Sequence, residues 1–331
     1  MGAIVAPEKI LRDLADLWVS LGKQGEAEAG AGVLRACAMT LVVMAEESED
    51  VQDLGETLAA LMPAHPARAM VVRLRGAGER SLTERVYAQC WKPFGQRQQI
   101  CCEQIEITAS DAALADLPSV VLPLAVADVP LILWCRSARV LDLAEFREIA
   151  EMARKVVLDS ARLGDAKAAL RRLAAECRRG VVLGDLSWTR LTRWRETLAK
   201  VFENRQHLAQ LAQVSRVRVN FGGEFEAAAR YMAAWVADSL ADAGVLAECS
   251  VAPGAGGDPL RVELTGAGFR VELARQEERL AITVNGLAYC TNLPQPSDIA
   301  LMREELAIVR RDTVFERALA SAARLAYAGD K

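Results

Sequence analysis

The sequence predicts an α/β fold: an N-terminal mainly parallel sheet with helices on both faces, then a C-terminal α+β domain with an antiparallel element. Three observations carry this. Apolar, strand-like runs alternate with amphipathic helical stretches through the first half. Residues 37–45 are almost continuously apolar, as in a strand covered on both faces. In the second half several short strands crowd together, and Asn285-Gly286 joins two of them as a two-residue hairpin turn. A chain of 331 residues accommodates two domains, placed at 1–180 and 181–331.

Taken in order, residues 8–21 put Ile10, Leu14, Leu17, Trp18 and Leu21 on one helical face. A Gly- and Glu-rich loop at 22–32 precedes the strand at 37–45, and a helix at 51–62 stops before Pro63. The loop at 63–68 leads into a strand at 69–74. A turn at 76–81 and a short strand at 85–91 come next. Residues 98–108 alternate imperfectly, which predicts a strand at an edge or half-covered position. Residues 112–127 read as a helix that starts near Pro118 and kinks at Pro123. Strands at 131–135 and 156–158 flank a helix at 142–152, and a helix follows at 165–178.

In the second half, Trp188, Leu191, Trp194, Leu198, Val201 and Phe202 form a helical stripe that starts after Ser187 or after Thr192, since either can cap. A strand at 214–220 feeds an amphipathic helix at 224–242. A Gly-rich loop at 253–259 leads to strands at 260–264, 269–273, 280–284 and 287–290, and a helical region runs from 297 to about 326.

Composition excludes several classes of function. Hydrophobic residues at 52% and charged residues at 25% are ordinary for a globular chain. A net charge of −4 argues against a protein that grips nucleic acid. No apolar run reaches the ~18 residues of a membrane span. The apolar start is too short for a secretory signal, and Ala6 stands where a myristoylation motif needs Ser or Thr, so a cytoplasmic protein is expected. Eight cysteines with no C-x-x-C and only two histidines, His65 and His207, make no zinc set; no metal and no cofactor are expected. The cysteines read as small buried side chains in a reducing compartment. Cys101 and Cys102 are adjacent on a strand and face opposite ways, which disfavours a bond between them.

No G-x-S-x-G, phosphate-loop lysine or H-E-x-x-H motif is present, and no catalytic residue is assigned. Glu103 and Glu106 fall on opposite faces of a strand, so they form no carboxylate dyad. Phe221-Gly-Gly-Glu224 lies between a strand and a helix, but Glu224 would repel a phosphate there, and a tight turn is the better reading. Two candidate sites remain. His65 and Arg68, at the mouth of a strand, could bind a phosphate or carboxylate, or simply shape a turn in which Arg68 pairs with an acid. Asp185, Trp188, Arg190, Trp194 and Arg195 could anchor a partner, or could make a helix with tryptophan core and arginine ion pairs.

Four stretches together carry a resemblance: 65–72 (HPARAMVV), 100–108 (ICCEQIEIT), 122–134 (LPLAVADVPLILW) and 185–195 (DLSWTRLTRWR). In order and spacing they resemble the OpcA family, the glucose-6-phosphate dehydrogenase assembly proteins, over most of residues 8–245. The resemblance implies a non-enzymatic activator that binds glucose-6-phosphate dehydrogenase, favours its active oligomer and so supports NADPH supply through the oxidative pentose phosphate pathway. It carries over no catalytic residue. Where the family has Thr-Pro-Trp, Arg193 takes the place of the proline. Redox-regulated members have cysteines toward the C-terminus; here none follows Cys290. The alternative is a sugar-phosphate sensor or enzyme using the loop at His65 and Arg68.

Overall fold

The structure is a computed structural model describing residues 5–27, 32–93, 98–254, 259–308 and 310–328. The first stretch of chain builds α1 (Pro7–Ala27), β1 (Val33–Arg35), β2 (Met39–Glu46), α2 (Val51–Leu61), β3 (Ala67–Gly76), β4 (Leu82–Trp91), β5 (Gln99–Ser110), α3 (Leu117–Val121), β6 (Leu131–Cys135), α4 (Ala144–Met152) and β7 (Lys155–Leu158). Then follow α5 (Ala166–Arg178), β8 (Leu183–Asp185), α6 (Leu186–Thr189), α7 (Thr192–Val201), α8 (Arg205–Gln210), β9 (Val214–Phe221), α9 (Glu226–Asp242), β10 (Glu248–Pro253), β11 (Leu260–Gly266), β12 (Phe269–Gln276), β13 (Arg279–Val284), β14 (Leu287–Asn292), α10 (Asp298–Ala307) and α11 (Thr313–Ala328). Two compact units result. One holds Met1–Leu158 and Asp298–Val309, the other Asp159–Ser297 and Arg310–Lys331.

In the first unit the strands run in the order β1-β5-β3-β2-β6-β7, with β4 on β5. Every pair named here is parallel except β4 with β5. The apolar run of β2 explains its central place: from Met39 to Ala45 every residue is buried, so both faces are covered. The same alternation separates two arginines of β3. Arg68 reaches Glu103 on β5, while Arg73, on the opposite face, reaches Glu106. β5 is not an edge strand as its imperfect alternation predicted; it bonds to β1, β3 and β4. Glu103 is buried and Glu106 half-buried, each paired with an arginine of a neighbouring strand, which is why these polar positions mimic exposure.

The expected helix at 112–127 is instead a string of short turns: a 3₁₀ stretch Asp111–Asp116, then α3, then a 3₁₀ stretch Leu122–Leu124. Pro118 and Pro123 lack the N–H that a longer helix would need. α1 runs past the predicted end at 21 into the expected loop, whose residues 28–31 lie outside those described. α10, far along the chain, belongs to this unit. Lys155 of β7, 2% exposed, donates to the Glu305 carboxylate and to the carbonyls of Glu305 and Ile308.

One cysteine expectation is overturned. Cys90 and Cys101 stand directly opposite one another on β4 and β5 and form a disulfide. Adjacent Cys101 and Cys102 face opposite ways, but the antiparallel register sets Cys90 on the same face as Cys101. The bond joins residues 11 apart, a loop whose closure contributes about 2–3 kcal/mol. Cys90→Ser is therefore expected to lower the free energy of urea unfolding by that amount, moving the midpoint to lower urea, and reductant should shift the parent protein but leave the variant unmoved.

In the second unit the sheet order is β10-β9-β11-β12-β13-β14, antiparallel except for β10 with β9. Alternation sets its inward face: Val217, Val219, Val262, Leu264, Val271, Leu273, Leu280 and Ile282 are at most 1% exposed. The β13–β14 hairpin turns at Asn285 and Gly286, both at positive φ (49° and 86°), as that sequence predicted. Four residues of the expected loop at 253–259, 255–258, lie outside those described. The expected single C-terminal helical region is two helices, α10 and α11.

Candidate functional site

Asp159, Asp185, Ser187, Arg190 and Tyr231 form a buried polar network in the second unit. Asp185 ends β8 in an extended conformation and caps α6, its Oδ1 accepting from the Ser187 N–H at 2.9 Å. The same oxygen accepts from the Ser160 N–H at 3.0 Å, and Oδ2 accepts from the Tyr231 hydroxyl at 2.8 Å. Asp159 takes a two-pronged pair from Arg190, Nη1 to Oδ1 at 2.8 Å and Nη2 to Oδ2 at 2.6 Å. The Ser187 hydroxyl donates to Asp159 Oδ1 at 2.8 Å and links the two acids.

The two carboxyls titrate apart for stated reasons. Burial, then the nearby Asp159 charge, pushes Asp185 from 3.8 up to about 6. Burial also pushes Asp159 upward, but the hydrogen bonds and charge of Arg190 outweigh it and hold its pKa below 3.8. Burial, then the Asp185 carboxylate, drives Tyr231 far above 10, so it stays a proton donor.

Aromatic rings close around this network. Trp188 meets Tyr231 edge-on, centroids 5.9 Å apart, and Phe315 at 6.0 Å. The Arg195 guanidinium lies 3.5 Å above the Trp188 ring and donates to the Trp188 carbonyl at 2.9 Å. The predicted helical stripe is thus two helices, α6 and α7, with Trp188 on the first and Trp194 on the second. Trp188 is 3% exposed, Trp194 4%, and Asp185 and Ser187 not at all. These residues face the interior, and the raised Asp185 pKa follows from that burial. A hollow of about 20 Å³ beside Arg190, Trp194, Phe225 and Arg275 has room for about one water.

The other predicted pair does not converge. Arg68 is 7% exposed, its Nε bonded to Glu103 at 2.6 Å and its Nη1 to the Leu124 carbonyl at 2.7 Å. Trp18 Nε1 and Arg35 also bind Glu103, at 2.6 and 2.8 Å. His65 sits in the turn before β3, its pKa lowered mainly by burial. On the far face of the same sheet a hollow of about 170 Å³ opens between α2 and the strands. Both oxygens of its Glu106 are engaged, by Arg73 and by Tyr87. Burial, then that carboxylate, pushes Tyr87 up to about 12. Among the described residues no three His, Cys, Asp or Glu are arranged to hold a metal, and no helix is long and apolar enough to cross a membrane.

Sequence reasoning missed Asp159, Ser187, Tyr231 and Glu103 as members of these networks. The available signal was chemical: a tyrosine inside the apolar stripe of α9 needs a partner for its hydroxyl, and an aspartate closing a strand supplies one.

Comparison with known proteins adds the following. The family model for the glucose-6-phosphate dehydrogenase subunit N-terminal domain matches residues 26–175, and that for the C-terminal domain of the same subunit matches 181–319. A protein of Nostoc punctiforme, provisionally named OxPP cycle protein OpcA, is 28% identical over 141 residues, 43% of this chain and 30% of its own length. A namesake from Synechocystis is 23% identical over 198 residues, 58% of this chain and 41% of its own. The aligned stretches thus span less than half of either relative. Among solved structures, an NAD binding oxidoreductase from Klebsiella pneumoniae superposes on 87% of this chain and 96% of its own, at 11% identity and a TM-score of 0.49, too distant to bear on activity.

Proposed function

Because this chain belongs to the OpcA family of glucose-6-phosphate dehydrogenase subunits, we propose that it is a non-enzymatic partner that binds the dehydrogenase and favours its active oligomer. The observation that carries the reading is the match of both family domains, in order, across most of the chain. The physical basis is linkage: a partner that binds the active oligomer more tightly than the inactive form shifts the enzyme toward it, by as much as the difference in affinity. The protein then raises NADPH output without making or breaking a bond, and acts in the cytoplasm with its enzyme.

Burial refines the roles of the proposed binding residues. Asp185, Trp188 and Trp194 act as a frame that holds the surface of the second unit, and Arg190 locks that frame through Asp159. The sugar-phosphate alternative at His65 and Arg68 has no observation in its favour, since a phosphate would have to displace Glu103 from a nearly buried guanidinium.

Adding the purified protein to the dehydrogenase of the same organism is expected to raise velocity or substrate affinity and to shift the enzyme's mass by sedimentation. Unchanged rates and unchanged mass would overturn the reading.

A further inference from the structure

β14 is an edge strand of unusual character. All six of its residues, Leu287 to Asn292, are exposed, and among the described residues it pairs only with β13, in an unbroken register from Val284↔Leu287 to Arg279↔Asn292. The sequence Leu-Ala-Tyr-Cys-Thr-Asn has no charge, no proline and no glycine. Proteins usually blunt a free edge with charges, proline or a bulge. The opposite edge, β10, is blunted in that way: it opens with Glu248 and closes with Pro253.

The hydrogen-bond pattern fixes what β14 offers. Just beyond the strand, the Leu293 N–H donates to Glu278, so Leu293 faces β13. In an antiparallel pair alternate residues bond to the same neighbour. Leu287, Tyr289 and Thr291 therefore also bond toward β13, leaving the N–H and C=O groups of Ala288, Cys290 and Asn292 pointing outward. On the core side of the sheet, Ile282 and Val284 are buried, but their cross-strand neighbours Tyr289 and Leu287 are 52% and 78% exposed. Apolar surface thus continues to the edge, with no described residue pairing beyond it.

We propose that β14 docks antiparallel against β14 of a second copy of this chain, about a two-fold axis at Cys290. The outward-bonding residues are spaced evenly about Cys290. In this register Cys290 faces the partner's Cys290, and Ala288 faces the partner's Asn292, so every outward N–H and C=O finds a partner. A two-fold perpendicular to the sheet keeps the core faces of both copies on one side, setting Tyr289 against the partner's Thr291. An uncharged strand meets its own copy without repulsion, which makes a second copy the fitting occupant. Isologous contacts of this kind close on themselves as dimers. Two strands bury little area, so the dimer is weak and concentration-dependent.

Cys290→Ser allows no bond across the axis, so it reports the non-covalent pairing alone. Its mass by sedimentation equilibrium is expected to rise toward twice that of the monomer from about 1 µM upward, as for an interface at the weak end of the range. Ala288→Pro removes an outward N–H at a position where an edge strand tolerates proline, and is expected to stay monomeric. Cys290→Lys sets like charges face to face across the axis and is expected to do the same; at an exposed position, it keeps the test valid if the proline variant misfolds. Facing residues of a bonded antiparallel pair lie ~5.5 Å apart at Cα, within disulfide range. Diamide, which accepts two electrons and two protons as the thiols join, is therefore expected to link copies of the parent protein through Cys290 and not copies of Cys290→Ser. A Cys290→Ser protein that stays monomeric throughout, or a folded Cys290→Lys that dimerises as well as it does, overturns the proposal.

Discussion

Asp185→Ala is expected to destabilise the protein by about 3–5 kcal/mol at pH 5 and by less at pH 7. The alanine leaves the Ser160 and Ser187 N–H groups and the Tyr231 hydroxyl without their acceptor, in a site with no access to water. Each orphaned buried donor costs ~1–3 kcal/mol. The difference between the two pH values comes from the acid itself. Its folded pKa is raised, from 3.8 to about 6, so the folded state holds a proton that the unfolded chain releases. Stability from that proton is complete below pH 4 and is lost as pH rises to 6; above that the shift amounts to a cost of about 3 kcal/mol. Removing the group removes the cost, which offsets part of the damage at pH 7.

Asp185→Asn separates the two effects. The amide oxygen can still accept from the two N–H groups, and the tyrosine hydroxyl can turn to accept from the amide nitrogen. This variant carries no ionisation, so it should gain on the parent protein by about 3 kcal/mol between pH 4 and pH 7. Urea unfolding at pH 4, 5.5 and 7 gives the comparison. A constant gap between parent and variant across that range would mean that Asp185 does not titrate there.

Arg190→Met is the second large effect, about 3–5 kcal/mol at pH 7. It strips Asp159, whose side chain is 6% exposed, of its two-pronged partner and leaves the carboxylate with the Ser187 hydroxyl, the Ala161 N–H and Arg162 at 3.7 Å. Arg190 is also what holds the Asp159 pKa below 3.8 against burial. In the parent protein the pair therefore contributes stability above pH 3.8 that falls away as the acid protonates. In the variant the acid protonates more readily, so the loss should shrink toward acid pH. Adding Asp159→Leu removes the stranded charge and should recover most of the stability at pH 7. The double variant also separates frame from contact. If Arg190 serves the dehydrogenase through the fold, stimulation returns with stability. If stability returns without stimulation, Arg190 touches the partner.

The predicted strands and most predicted helices correspond to real elements because their signals are local. β2, α9 and the Asn285-Gly286 hairpin each follow from neighbouring side chains and a fixed period. The errors have two causes, one distant and one local. Glu103 made β5 look half-exposed, since nothing nearby in sequence reveals that Arg68, 35 positions away, neutralises it. Prolines 118 and 123 broke a stretch whose apolar period still read as one helix. The spacing of tryptophans and arginines in the central stretch marks it as a candidate site, but periodicity does not say whether such residues face solvent or core.

From the residues alone came the α/β class, the two kinds of sheet, the exclusion of known catalytic motifs and the family resemblance. All of these are properties of short windows or of their order. The tertiary structure decided that Cys90 bonds Cys101, that Asp185 meets Tyr231 from 46 positions away, and that β14 pairs on one edge alone among the described residues. Those outcomes depend on strand register and on which surfaces are covered, and both are settled only when distant segments compete for the same contacts in the folded chain.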